Sequence, residues 1–263
     1  DRLRKTVRLA VRFLDDVIDV NKYPMPQIEA ITKANRRIGL GVMGFADMLI
    51  MLGIPYDSER ALKAAGKLMR FITEESHNMS EELARKRGAF KNMGKSSWKR
   101  PMRNATTTTI APTGSVSIIA GVSSGIEPLF AVSYVRKVLG GKRMVETNRL
   151  FKRIARERGF YSRKLMSEVA RKGTVKGVKA VPKDIQRLFV TALEIKPGWH
   201  VRMQAAFQKH TDNAVSKTVN FPKSAKVADV EKVFLMAHKL KCKGITAYRY
   251  GSKEEQVMCI GCE

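Results

Sequence analysis

Three cysteines, Cys242, Cys259 and Cys262, fall within the last 22 positions of a 263-residue chain. An odd number of thiols with no secretory leader argues against a disulfide framework. It leaves redox chemistry, metal binding or inert thiols. The metal alternative has chemical content. His238 and Cys242 stand four apart on a predicted helix, and with Cys259 and Cys262 they make a Cys3His set suited to tetrahedral zinc. A second chemical segment is 106–117, where a β-branched run enters the turn Pro112-Thr113-Gly114-Ser115 and continues through Val116 and Ser117. Glycine lets backbone approach an anion, hydroxyls add donors, and a helix N-terminus there would add its dipole. An ordinary turn accounts for the same residues, and the missing lysine excludes a Walker-type loop. A third pattern, Gly39-Leu-Gly41-Val-Met-Gly44, has the spacing G-x-G-x-x-G. The dinucleotide reading requires a strand before it and an acid about 20 positions on. Neither is present, so close helix packing through small residues is expected. His200 and His210 share a helical block with Gln204 and Gln208 and receive no catalytic role.

The elements that must position these groups follow from periodicity. Leu3, Val7, Val11, Leu14 and Ile18 make one helical stripe. The run Asn21-Lys-Tyr-Pro-Met-Pro26 breaks it, and further helices are expected over 29–52 and from an Asp57 cap to Gly88. Residues 104–111 read as a strand. Helical patterns return at 146–158, 163–171, 183–193 and 200–213, then again after Asp229, before a final strand at 245–248. Helices alternating with short strands give an α/β class. The divisions are a main domain, 1–251, and a tail, 252–263.

Composition narrows the function classes. The hydrophobic fraction of 44% is ordinary for a globular chain, and no apolar run approaches a membrane span. The N-terminus lacks an initiator Met and the apolar core of a signal peptide, which fits a cytosolic piece of something longer. Fifty Lys and Arg against 24 Asp and Glu give +26. Half of that excess lies in 136–187, with 17 basic and 4 acidic residues, and 85–103 adds 8 basic residues and no acid. Such fields attract nucleotides, nucleic acid or acidic protein surfaces. A non-catalytic basic nucleotide- or nucleic-acid-binding module is therefore the alternative function.

The stretch from Asn104 through Pro112-Thr-Gly-Ser-Val-Ser117 to Ser124-Gly-Ile-Glu-Pro128 resembles the substrate-phosphate loop region of ribonucleotide reductases. Arg37-Ile-Gly-Leu-Gly-Val-Met-Gly-Phe-Ala-Asp47, residues 204–220 and Lys243-Gly-Ile-Thr-Ala-Tyr-Arg249 are similar to further signatures of that family, in the family's order. The wording is closest to the adenosylcobalamin-dependent class II proteins. The resemblance implies the C-terminal half of a ten-stranded α/β barrel, helix-rich, with a flexible C-terminal tail. It implies radical reduction of ribonucleotides to deoxyribonucleotides, with substrate phosphates held by Pro112, Thr113, Gly114, Ser115, Val116 and Ser117. Cys259 and Cys262 become a dithiol shuttle that re-reduces the active site and is itself recharged by a thioredoxin-type dithiol. The Asn-x-Cys-x-Glu segment carrying the radical cysteine is absent, so the expected partner is the N-terminal half of the reductase. The complete enzyme is expected to be a homo-oligomer, and this chain alone to be inactive.

Overall fold

The β-branched run expected as a strand is an extended segment at 106–110 that makes isolated bridges at Thr108 and Ile110. The computed structural model describes residues 1–137, 143–252 and 258–259. On one side, Ile38 and Leu40 donate their amide N–H groups to Thr106 O and Thr107 O at 3.0 and 2.8 Å. On the other, Asn213 N–H reaches Thr108 O at 3.0 Å and Ser216 N–H reaches Ile110 O at 2.8 Å. Both pairings are parallel. Past residue 216 the chain continues into β3 (Thr218–Phe221), which pairs in parallel with β4 (Thr246–Arg249). Parallel neighbours need long crossovers. Helix α4 (Glu59–Arg87) lies in the crossover from 38–40 to 106–110, and α10 (Val227–Lys239) in that from β3 to β4. The class is α/β, and helices dominate.

Helix α1 (Arg2–Val20) buries Val7, Val11 and Ile18 along one side, where it packs on α4. Asp15 lies on that same buried side. It survives there because Arg36 Nε (2.8 Å), Asn104 Nδ2 (3.0 Å) and Arg103 Nε (3.2 Å) all donate to its carboxylate. A buried charge is tolerated when paired and hydrogen-bonded in this way. In α4, Ala61, Ala65, Met69, Ile72, Met79 and Leu83 recur at helical spacing on the core side. Its N-cap is Ser58, whose hydroxyl accepts from Ala61 N–H at 3.2 Å, and not the expected Asp57; Gly88 ends it as expected.

The expected helix over 29–52 is three elements. Helix α2 (Pro26–Asn35) stops where Arg36 takes a left-handed conformation (φ 47°), residues 38–40 are extended, and α3 (Phe45–Met51) begins after Gly44. A Cβ on Gly39 would stand 2.6 Å from Thr109 Cγ2, and one on Gly41 would collide with Thr109 O. The glycines therefore do serve close packing, but against the extended segment around Thr109. The expected helix at 146–158 is also shorter. Glu146 belongs to a hairpin of β1 (Ser133–Lys137) and β2 (Arg143–Thr147), and α6 (Arg149–Glu157) starts after Asn148, which caps Phe151 N–H at 3.1 Å. Helices α7 (Arg163–Lys172), α8 (Lys183–Leu188) and α9 (Pro197–Gln208) follow. Asp229 sits in the first turn of α10, where its carboxylate accepts from Lys226 N–H at 3.0 Å, and that helix ends before Gly244.

Candidate functional site

The extended run at 106–110 delivers the chain through Ala111 and Pro112 into Thr113, which is left-handed (φ 53°), and then into α5 (Gly114–Ala120). Residues 114–116 are exposed. Their N–H groups belong to a first helical turn, where no intrahelical acceptor exists and the dipole is positive. Gly114 is unobstructed, since a Cβ built there meets nothing within 4 Å. The turn is braced from behind. Thr113 Oγ1 accepts from Gly125 N–H at 2.7 Å, and Ser124 Oγ donates to Pro112 O at 2.5 Å. Ser117 is buried, its N–H bonded to Thr113 O and its hydroxyl to Gly114 O. Of the hydroxyls expected as anion donors, those of Thr113 and Ser117 are engaged in holding the turn, while Ser115 is exposed.

The brace extends to the glycine block. Gly44 N–H donates to Ser123 O at 2.7 Å, and Asp47 accepts from Ser123 N–H at 2.5 Å. Tyr56 OH closes the same segment on Ile126 O at 2.6 Å. Next in the segment, Glu127 accepts from Lys217 Nζ (2.5 Å) and Thr218 N–H (2.6 Å). The buried Lys217 also meets His200 Nδ1 at 2.9 Å. With Lys217 donating to Nδ1, the His200 proton sits on Nε2, 3.0 Å from Ala192 O. Burial, reinforced by the Lys217 charge, brings His200 down to about 3. Burial also lowers Lys217, against the opposing pull of Glu127. A second polar centre holds the extended run itself. Asp212 accepts from His77 Nε2 (2.9 Å), Thr107 N–H (2.7 Å) and Thr107 Oγ1 (3.0 Å). Burial works against the Asp212 charge, yet the His77 and Thr107 bonds leave its pKa below the ordinary carboxylate value. None of Asp47, Tyr56, Glu127, Lys217 or Asp212 was singled out from sequence. Asp47, Glu127, Asp212 and Lys217 lay inside quoted blocks, but nothing there marked them as braces.

Cys242 and Cys259 belong to different elements. Cys242 is half-buried against the cluster of Val201, Val219, Phe221 and Val233, and burial pushes its thiol up. Cys259 lies in β5 (Met258–Cys259), antiparallel to β1 with Cys259 opposite Val135. Cys262 lies outside the described residues. Among the described residues no three His, Cys, Asp or Glu side chains gather as a metal site. His238 is exposed near the end of α10, and His210 is half-buried beside Gly66. No helix among the described residues is long and apolar enough to cross a membrane.

The arrangement of an extended segment with parallel bridges, a tight turn and a short helix braced by a glycine-containing block can now be set beside known proteins. A model of the ribonucleotide reductase barrel domain matches residues 1–102 and 95–248. The chain belongs to that family. It is 53% identical over 264 residues to a vitamin B12-dependent ribonucleoside-diphosphate reductase of Thermoplasma acidophilum, covering 99% of this chain and 34% of the relative. A reductase of the same description from Mycobacterium tuberculosis is 51% identical over 260 residues, covering 98% and 37%. The class Id ribonucleotide reductase alpha subunit of Actinobacillus ureae superposes with a TM-score of 0.80 at 23% identity, over 93% of this chain and 46% of its own. The chain thus spans about a third of the length of these curated relatives. The expected reductase barrel fold is the fold found.

Proposed function

We propose that this chain is the C-terminal part of an adenosylcobalamin-dependent reductase acting on ribonucleoside diphosphates, the substrate class in the names of its two relatives above. Its contribution is the cradle for the substrate phosphates and a reducing tail. The observation that carries this reading is the exposed first turn of α5, pre-set by left-handed Thr113 and braced by Gly125 and Ser124. The Gly114, Ser115 and Val116 amides donate to the phosphate oxygens there, with the Ser115 hydroxyl beside them. Pro112 and Ser117 shape the turn. Holding the phosphates fixes the ribose, whose 2′-hydroxyl is replaced by hydrogen. The radical cysteine belongs to the rest of the enzyme.

Adenosylcobalamin supplies the radical when bound to the whole enzyme. A groove of about 390 Å³ between Pro197, Phe221 and Met236 suits a small ligand and is too small for a corrinoid. No step of the cofactor's chemistry is assigned to residues of this chain. The tail acts between turnovers. One thiolate of Cys259 or Cys262 attacks the active-site disulfide, and the other resolves the mixed disulfide. The tail leaves oxidised, the active site regains two thiols, and an external thioredoxin-type dithiol takes the tail disulfide back to thiols.

Gly114→Val tests the cradle in the reconstituted enzyme. A side chain at this position meets open space and no left-handed backbone, so thermal stability should be unchanged. Blocking one donor to a phosphate oxygen should cost about 1.5–3 kcal/mol, or roughly tenfold to a hundredfold in KM, with lower turnover. An unchanged KM would remove the cradle from this turn.

A further inference from the structure

Helix α1 carries two apolar stripes. The buried one, Val7, Val11 and Ile18, faces α4. The other runs along the opposite side, where Leu9, Phe13 and Val20 are 69%, 64% and 79% exposed. Helix α2 beside it has no buried residue at all, although it carries Ile28 and Ile31, both exposed. A ten-residue helix is marginal in water by itself and normally owes its stability to a packed apolar face. Two neighbouring helices that both carry exposed apolar side chains offer surface of the kind that marks a protein interface.

We propose that this α1–α2 face is the seat of the remaining reductase polypeptide, and that the surface it receives is apolar with an acidic rim. The inference rests on the functional reading above. Relatives of this chain are about three times its length, so a large covalent or associated neighbour exists to cover the face. The rim chemistry follows from α1, which flanks its stripe with exposed Arg2 and Lys5, and with Arg12, which also pairs with Asp16 at 3.8 Å. A second copy of the chain suits the face less well. Aligned in parallel it would oppose these cations to each other. Aligned antiparallel it would present Asp16 and Asp19, which Arg87 and Arg36 already hold.

The test mixes the 263-residue chain with the Thermoplasma acidophilum relative from which the matching third has been removed. Binding and ribonucleotide reduction are measured for the wild type, Phe13→Asp, Ile31→Asp, and Leu235→Asp as an exposed control on α10. Phe13→Asp and Ile31→Asp should bind at least ~10-fold more weakly, the scale of a central interface residue. Their melting temperatures should match the wild type's, because neither side chain is packed in this chain, and Leu235→Asp should bind as the wild type does. Wild-type binding with restored reduction, but equal binding by both Asp variants, overturns the face and leaves the functional reading standing. Failure of the wild type itself to bind overturns both. A wild-type chain that is dimeric by light scattering, and that Phe13→Asp makes monomeric, gives the face to a second copy and overturns the proposal.

Discussion

Glycine does two different jobs within this one site. At Gly41 the absent side chain lets residues 38–41 lie against Thr109, whereas at Gly114 it leaves a clear approach to the α5 amides. The two substitutions should therefore separate cleanly. Gly41→Ala forces a methyl group into the Thr109 carbonyl and should destabilise the chain by roughly 1–3 kcal/mol or more, the overpacking scale. Urea unfolding measures this, and a midpoint equal to wild type would show that the 38–41 backbone can shift at no cost. The Pro-Thr-Gly-Ser turn and the small-residue role of Gly39–Gly44 were legible because glycine, proline and hydroxyl residues have strong local meaning. Glu127 and Lys217 were not. They are 90 residues apart, and nothing local marks a lysine for full burial.

At the scale of elements, the Glu127–Lys217–His200 chain ties the segment behind the phosphate turn to β3 and α9, and it makes that junction sensitive to acid. A free histidine takes a proton near pH 6.5, but His200, buried and next to the Lys217 charge, stays neutral down to about 3. Between those values the unfolded chain binds a proton that the folded chain refuses. The stabilisation is complete above about pH 6.5 and is lost as pH falls toward 3, at up to ~1.4 kcal/mol per pH unit. His200→Gln, which keeps a donor and an acceptor, should remove this part of the slope. Urea midpoints from pH 7 to 4 decide it: parallel profiles for variant and wild type would show that His200 is not the sensing group. Legibility at this scale followed element length. The long helices announced themselves by 3.6-residue spacing. The extended 38–40 and the β1–β2 hairpin did not, because runs of three to five residues show no clear period, and their pairing partners, rather than their own sequence, decide their state.

For the whole molecule, the chemical choice lies in what the cysteines do, and it turns on what surrounds each of them. A zinc site would need His238, Cys242, Cys259 and Cys262 at one point. Cys242 is packed beside Val219 and Val233 with its thiol pushed up by burial, whereas Cys259 pairs with Val135 on the hairpin. A raised pKa keeps the free thiol protonated, which does not suit attack. The shuttle asks nothing of Cys242. It asks only that the tail exchange between reductant and active site, and in the reconstituted enzyme this has a kinetic signature. Replacing Cys259 and Cys262 by Ser should spare the first turnover of pre-reduced enzyme, because that round consumes thiols already in place. Later turnovers driven by thioredoxin should stop, while a small dithiol that enters the active site directly restores them. Cys242→Ser should leave both phases intact. Rapid-quench measurement of the burst, followed by steady-state assay with each reductant, separates these outcomes. Normal cycling of the double Ser variant with thioredoxin would sink the shuttle. One zinc per chain, released by Cys242→Ser with loss of stability, would give the four residues to a metal, since metal binding and local folding are coupled.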